Sequence, residues 1–268
     1  PFFLYLPHAM PGSTSSPYAS EGFRGKSRNG PWGDSVEEID WSTGVILDKL
    51  VDLGLDQNTL VVWTSDNGSP LAREPGDLSR GSNLPLAGRG YTTSEGAFRV
   101  PCLTWWPGRI PADTICEELS STMDLYPTFV KLAGGTADAV KRDGHDIRPL
   151  LFGEENAKSP WEVFAYYELD QLQAVRSGPW KLFLPLEDFA KHPHYKKNDR
   201  ERVPLLFNVV EDVDTSDNLA AAHPEIVARL TALAEKVRAD LGDMGKAGKG
   251  QRPVGKIPRD PKSVTRDP

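Results

Sequence analysis

Apolar residues fall along this chain in two rhythms, and the change between them divides it. In the first part, unbroken apolar runs alternate with helical spacing. Phe2-Phe3-Leu4-Tyr5-Leu6 ends at Pro7-His8, and Leu60-Val61-Val62-Trp63-Thr64 ends at Ser65-Asp66-Asn67-Gly68. Short continuous runs suit strands covered on both faces, and Val61, Val62 and the Asn-Gly stop favour strand over helix. Between the two runs, Val36, Ile39, Val45, Ile46, Leu47 and Leu50 recur near the helical period. They predict a helix over 34–53, with Asp34 as its N-cap and Gly54 as its stop. Strand, helix and strand with short joins predict a βαβ unit, hence a parallel sheet with 60–64 as a central buried strand. A further apolar run, 98–106, contains Pro101, which places it at an edge or at a strand start. A second helix is predicted over 120–133, closed by Gly134-Gly135.

After about residue 159 the rhythm shortens. Strand candidates at 163–167, 173–176, 180–184 and 205–209 are separated by turns, and Ser177-Gly178 marks a hairpin corner. They predict a small antiparallel sheet. Residues 191–202 read as a charged surface loop in which His192 and His194 are solvated. Residues 225–241 place Ile226, Leu230, Leu233 and Val237 on one helical face. From Gly242 onward Gly, Pro and Lys dominate, and an extended tail is expected. The fold class is therefore α/β: a mainly parallel sheet flanked by helices, then a small C-terminal antiparallel sheet with a packed helix. The expected division is 1–159, 160–242 and a tail 243–268, with a seam near Ser159.

Composition narrows the function classes. The chain has 268 residues, 38% of them hydrophobic, enough for a real core. It holds no run of about 18 apolar residues, so no membrane span is expected. A net charge of −7 without a basic stripe argues against nucleic acid as a partner. Cys102 and Cys116 make no metal-ligand spacing, and whether they are free or paired stays open. The chain opens at Pro1 in what reads as a strand, from which a longer protein upstream is expected.

The chemistry gathers at the end of the second apolar run. Ligands of open α/β sheets lie beyond the carboxyl ends of strands. Asp66 and Asn67 offer a carboxylate and an amide oxygen there, hard donors suited to Ca²⁺ or Mg²⁺. The same residues also form ordinary turns, so cation site and bare turn are both open. The polar stretch 69–90 follows, a length more often functional than idle.

Ordered motifs then point further. They include Pro-Phe-Phe-Leu-Tyr at 1–5, Gly33-Asp34-Ser35-Val36-Glu37-Glu38-Ile39-Asp40 and Thr64-Ser65-Asp66-Asn67-Gly68. Thr92-Thr93-Ser94-Glu95-Gly96-Ala97-Phe98-Arg99-Val100-Pro101, Trp106-Pro107-Gly108, Met123-Asp124-Leu125-Tyr126-Pro127-Thr128 and Ala174-Val175-Arg176-Ser177-Gly178-Pro179-Trp180-Lys181-Leu182 follow. With them, residues 1–240 resemble the C-terminal half of a type I sulfatase (arylsulfatase), in the alkaline-phosphatase-like superfamily. The resemblance implies hydrolysis of a sulfate ester, a sulfated carbohydrate being the expected substrate. It implies a formylglycine nucleophile made from a Cys or Ser in a Cys/Ser-x-Pro/Ala-x-Arg motif, and a divalent cation, usually Ca²⁺, with Mg²⁺ as the other candidate. Asp66 and Asn67 match the family's late metal ligands. A periplasmic or extracellular location is implied as well.

The chain also departs from the family. It contains neither the formylglycine motif nor the early pair of metal-binding Asp residues, both of which the family places upstream. Where many sulfatases have Pro-His, this chain has Pro11-Gly12, and His8 is the only histidine nearby. Where the family has a Lys, an ungapped match puts Gly90, with Arg89 beside it. His8 reads equally as a loop or a catalytic histidine, and Arg89 as a sulfate ligand or a loop cation that is always charged. Glu95 and Arg99 read as a structural ion pair or loop anchor before chemistry, and Trp105-Trp106 as packing before a sugar platform. Two alternatives accompany the sulfatase reading: a phosphoester or phosphonate hydrolase of the same superfamily, and a non-catalytic binding or structural remnant. The chain alone is expected to be inactive and to expose a sheet edge and an apolar face.

Overall fold

The computed structural model describes residues 1–12, 16–72, 74, 76–136, 141–188, 191–196 and 202–253. Helix α1, Gly30–Asp52, has Pro31 in its first turn, a place its fixed φ suits. Asp34 is not its cap. The residue lies inside the helix, buried, and accepts the backbone N–H groups of Gly25, Lys26 and Ser27 at 2.7, 3.1 and 2.8 Å. The preceding loop folds back on the helix, so the carboxylate satisfies that loop's donors. The bonds from Ser27 and Gly25, against a smaller effect of burial, hold its carboxyl below the ordinary range. Gly54 ends the helix as expected, with φ +64°, a conformation other residues resist.

Strand β1, Val61–Thr64, pairs antiparallel with β2, Cys102–Trp105, with Val61 opposite Trp105 and Thr64 opposite Cys102. The expected parallel sheet with a central buried strand is corrected here. Every strand pair among the described residues is antiparallel, and β1 is only half-buried. Residues 2–6 form no strand, and their side chains are 50–76% exposed. An apolar run declares that it can be covered; it does not say which segment supplies the ladder. Here the 65–101 connection is long enough to bring β2 back alongside β1. Pro101 stands just ahead of β2, where its missing N–H removes no ladder bond. The short helix α2, Glu95–Phe98, lies within that connection.

Helix α3, Leu125–Leu132, follows a 3-10 turn at Thr122–Asp124. Ser121 and Asp124 form a capping box there, and Asp124 also accepts from the His145 backbone and from Trp161 Nε1. Helix α4, Arg148–Leu151, precedes the change of rhythm.

The later strands match their expectation closely. β3 Phe164–Glu168, β4 Gln171–Ser177, β5 Trp180–Phe183 and β6 Leu205–Asn208 form an antiparallel sheet in sequence order. Gly178, at φ +58°, turns the β4–β5 hairpin. Helix α5, Pro224–Leu241, lays Leu230, Leu233, Ala234 and Val237 onto Leu172, Val175, Leu182 and Leu206. This is the main apolar core of the described residues.

Two expectations fail in this region. The chain after α5 is not simply extended: β7 Gly242–Asp243 and β8 Lys246–Ala247 close a small hairpin through positive-φ Gly242 and Gly245, while 254–268 lie outside the described residues. His192 and His194 are not solvated. His194 stacks on Phe207 at 4.8 Å, His192 stacks on Tyr195 at 4.3 Å, and both rings meet Phe183 edge-on. Burial pushes the pKa of His192 down to about 3 and that of His194 to about 4. The loop is charged in sequence, but its backbone returns these rings to the aromatic face of β5 and β6. Among the described residues, no helix is long and apolar enough to cross a membrane.

Candidate metal site

The turn after β1 is built by its own polar side chains. Asp66 Oδ1 accepts the Asn67 backbone N–H at 2.8 Å, and Ser65 Oγ donates to the Asn67 carbonyl at 3.1 Å. Asn67 Nδ2 donates to the Gly68 carbonyl at 3.0 Å, which fixes which end of the amide is engaged and leaves the amide oxygen as a donor to a cation. Asp66 is exposed, Asn67 half-buried and Gly68 buried.

Gly68 shows what seats this turn. Its N–H donates to the Ala97 carbonyl of α2 at 2.9 Å, and a Cβ on it would lie 1.7 Å from the Gly96 carbonyl oxygen. Asn83 braces the other side, accepting the Ser69 N–H at 2.8 Å and donating to the carbonyls of Ser69 and Gly88. Gly68→Ala should therefore destabilise the chain by about 1–3 kcal/mol, the range for forcing an extra carbon into a packed site. Urea unfolding measures it, and an unchanged midpoint would mean that the turn does not rest on α2.

Gly90 packs against the same turn. A Cβ there would lie 2.8 Å from the Gly68 carbonyl oxygen and 3.0 Å from Asn67 Nδ2. Any side chain at position 90 must displace the turn, so glycine at this position fits the local packing. Arg89, one residue earlier, is exposed, and its carbonyl accepts from Thr92 Oγ1 at 2.8 Å. His8 is exposed in the N-terminal segment, with no hydrogen bond or ion pair to Asp66, Asn67 or Arg89 among the described residues. The structure thus joins Asp66, Asn67 and the 88–97 segment through Gly68 and Gly90, and sets Arg89 beside them along the chain. Among the described residues, no three His, Cys, Asp or Glu side chains gather as a cation cluster. Two hard oxygens suit Ca²⁺ in kind and would fill only part of its shell.

Behind the turn lies a buried charge network. Glu95 Oε1 meets Lys181 Nζ at 2.7 Å, and Glu95 Oε2 meets Arg99 Nε at 2.7 Å and an Arg176 guanidinium nitrogen at 3.6 Å. Lys181 Nζ also donates to the Thr93 carbonyl at 2.6 Å and lies 3.7 Å from the Tyr166 ring centroid. Thr93 Oγ1 donates to Gln173 Oε1 at 2.8 Å, and Arg99 donates to the Val209 carbonyl. Burial would raise the Glu95 carboxyl, but Lys181, Arg99 and Arg176 together carry it below its ordinary value. Burial pulls the Lys181 ammonium down to about 8; the Glu95 carboxylate opposes that shift, and the Arg176 and Arg99 guanidinium groups add to it.

A structural role for Glu95 and Arg99, as an ion pair or loop anchor, was expected from the sequence, but Lys181, Gln173 and Arg176 were not singled out individually. Their signal was available: polar residues inside the apolar runs of two strands, at Gln173, Arg176 and Lys181.

Mixed helices and antiparallel sheets around an oxygen-donor turn agree broadly with the alkaline-phosphatase-like fold of solved sulfatases. A sulfatase from Pseudoalteromonas sp. superposes with a TM-score of 0.69 at 25% identity, over 81% of this chain and 44% of that one. Residues 1–135 match the sulfatase family, and 159–254 match the C-terminal region of aryl-sulfatase. The chain belongs to the sulfatase family. It is 35% identical to the N-acetylgalactosamine-6-sulfatase of Canis lupus familiaris, over 88% of this chain and 48% of that protein. It is 36% identical to human arylsulfatase A, over 87% of this chain and 48% of that protein. The chain thus spans about half the length of the curated relatives it matches.

Proposed function

We propose that this chain serves a sulfuric ester hydrolase, in which Asp66 and Asn67 are two oxygen ligands of a divalent cation. Ca²⁺ is the first choice and Mg²⁺ the second. The observation that carries the reading is the turn itself: two hard donors project beyond a strand's carboxyl end from a seat on α2, in a sulfatase-family chain. When bound, the cation would polarise the sulfate oxygens. The chain's own residues would hold and orient. Asn67 offers its amide oxygen because its NH₂ is held by Gly68. Arg89 is assigned to the sulfate oxygens, which a planar guanidinium grips in a bidentate way. His8 is assigned to acid–base work on the ester. The formylglycine is assigned to a segment outside these 268 residues, since no Cys or Ser here stands in its motif.

A sulfated carbohydrate is the proposed substrate class, supported by the similarity to N-acetylgalactosamine-6-sulfatases. A periplasmic or extracellular location and the division at about residue 159 belong to the same reading. Calorimetry with Ca²⁺ tests the central claim. Asp66→Ala should weaken binding by about 100-fold, the upper end of what even outer-shell partners are worth. Equal affinity in the folded variant would overturn the assignment.

A further inference from the structure

We propose that Lys181 is a positioning residue for the cation turn, acting through Glu95; this rests on reading Asp66 and Asn67 as cation ligands. A buried ammonium is an expensive way to fill space, and an apolar side chain of similar volume is often as stabilising. What the ammonium adds is direction. Its donors converge on the 93–95 segment, at the Thr93 carbonyl and at Glu95 Oε1, with the Tyr166 ring beneath. Both oxygen partners belong to the stretch that leads into α2. Two residues beyond Glu95, the Ala97 carbonyl receives the Gly68 N–H, and Gly68 adjoins Asn67 and Asp66. Thr93 Oγ1 and Gln173 tie the same segment to β4.

The path therefore runs from β5 through one ion pair and one helical turn to the cation ligands, with short polar contacts at each step. Arg99 and Arg176 share the far oxygen of Glu95, which leaves Oε1 to Lys181 and fixes the rotation of the carboxylate. The C-terminal sheet would thereby set the height of α2 under the turn, and with it the spacing of two ligands contributed by the other half of the chain.

Hydrogen exchange on the full chain, read at Gly68 and at β4 and β5, tests this together with Ca²⁺ calorimetry. Lys181→Met leaves Glu95 Oε1 without its ion-pair partner and risks unfolding, so the decisive variant is Lys181→Met with Glu95→Gln, which removes both charges. In that variant the β4 and β5 amides should keep their protection, while Gly68 exchanges about tenfold faster, a local opening. Ca²⁺ affinity should fall by about tenfold, the scale of an outer-shell partner. Lys181→Arg, which keeps the charge, should recover most of both. Unchanged Gly68 exchange in a folded double variant overturns the proposal. So does unchanged Ca²⁺ affinity, if Asp66→Ala does weaken binding. If Asp66→Ala has no effect, the cation reading falls, and Gly68 exchange alone decides the mechanical link.

Discussion

Glu95→Ala is expected to destabilise the fold by about 3–5 kcal/mol, the scale measured when one partner of a buried ion pair is removed. The side chains of Glu95 and Lys181 are both fully buried, and the Arg176 side chain is 9% exposed. Removing the carboxylate strands these cations with no anion and little water. Arg99 is better placed, because it is partly exposed and also reaches the Val209 carbonyl. Urea unfolding measures the loss, and one below about 1 kcal/mol, the scale of an exposed pair, would mean the network is not formed. The sign of the pH dependence follows from the direction of the shift. The Glu95 carboxyl sits below its ordinary 4.5 in the folded chain. As pH falls below that value, the unfolded state takes up the proton first. The contribution is therefore complete above the ordinary value and is lost as pH falls through the folded one. Glu95→Gln should flatten this acid limb of the stability curve, and an unchanged limb would assign the acid sensitivity to other carboxylates.

The contrast between the two halves shows what a single sequence can carry. The C-terminal sheet was legible because each strand has its partner next in order, joined by short turns such as Ser177-Gly178. Local pattern and tertiary pairing then say the same thing. In the first half they part. The run 60–64 was read correctly as a strand, but its partner lies about forty residues away, and no local rule gives the direction in which that partner runs. Asp34 failed differently. An acidic residue near a helix start is ordinarily a cap, yet here the loop at 25–27 turned its N–H groups inward to the same carboxylate. At the site, the turn at Asp66 and Asn67 was legible because residue types and a place after a strand suffice for a turn. That Gly90 presses on Asn67 was not, since a close approach across twenty-three residues leaves no periodic trace.

The 268-residue chain by itself is expected to show no turnover of an aryl sulfate, with or without added Ca²⁺. The proposed reaction needs a formylglycine, and neither cysteine here stands in its motif: Cys102 is followed by Leu-Thr-Trp and Cys116 by Glu-Glu-Leu. The cation shell is short as well. On the proposed reading Asp66 and Asn67 would supply two oxygens where Ca²⁺ takes about six to eight, so water would fill the remainder and affinity should be weak. The surface argues in the same direction. Residues 2–6 lie exposed, Leu103 of β2 is 63% exposed, and β1 has one hydrogen-bonded neighbour among the described residues. Open strand edges beside exposed apolar side chains favour self-association, which should appear as concentration-dependent aggregates in light scattering. The assay is direct: the purified chain with an aryl sulfate, beside calorimetry with Ca²⁺. Turnover that survives stringent purification and disappears in His8→Ala would overturn the expectation. It would place a nucleophile within these residues, beside the acid–base role proposed for His8.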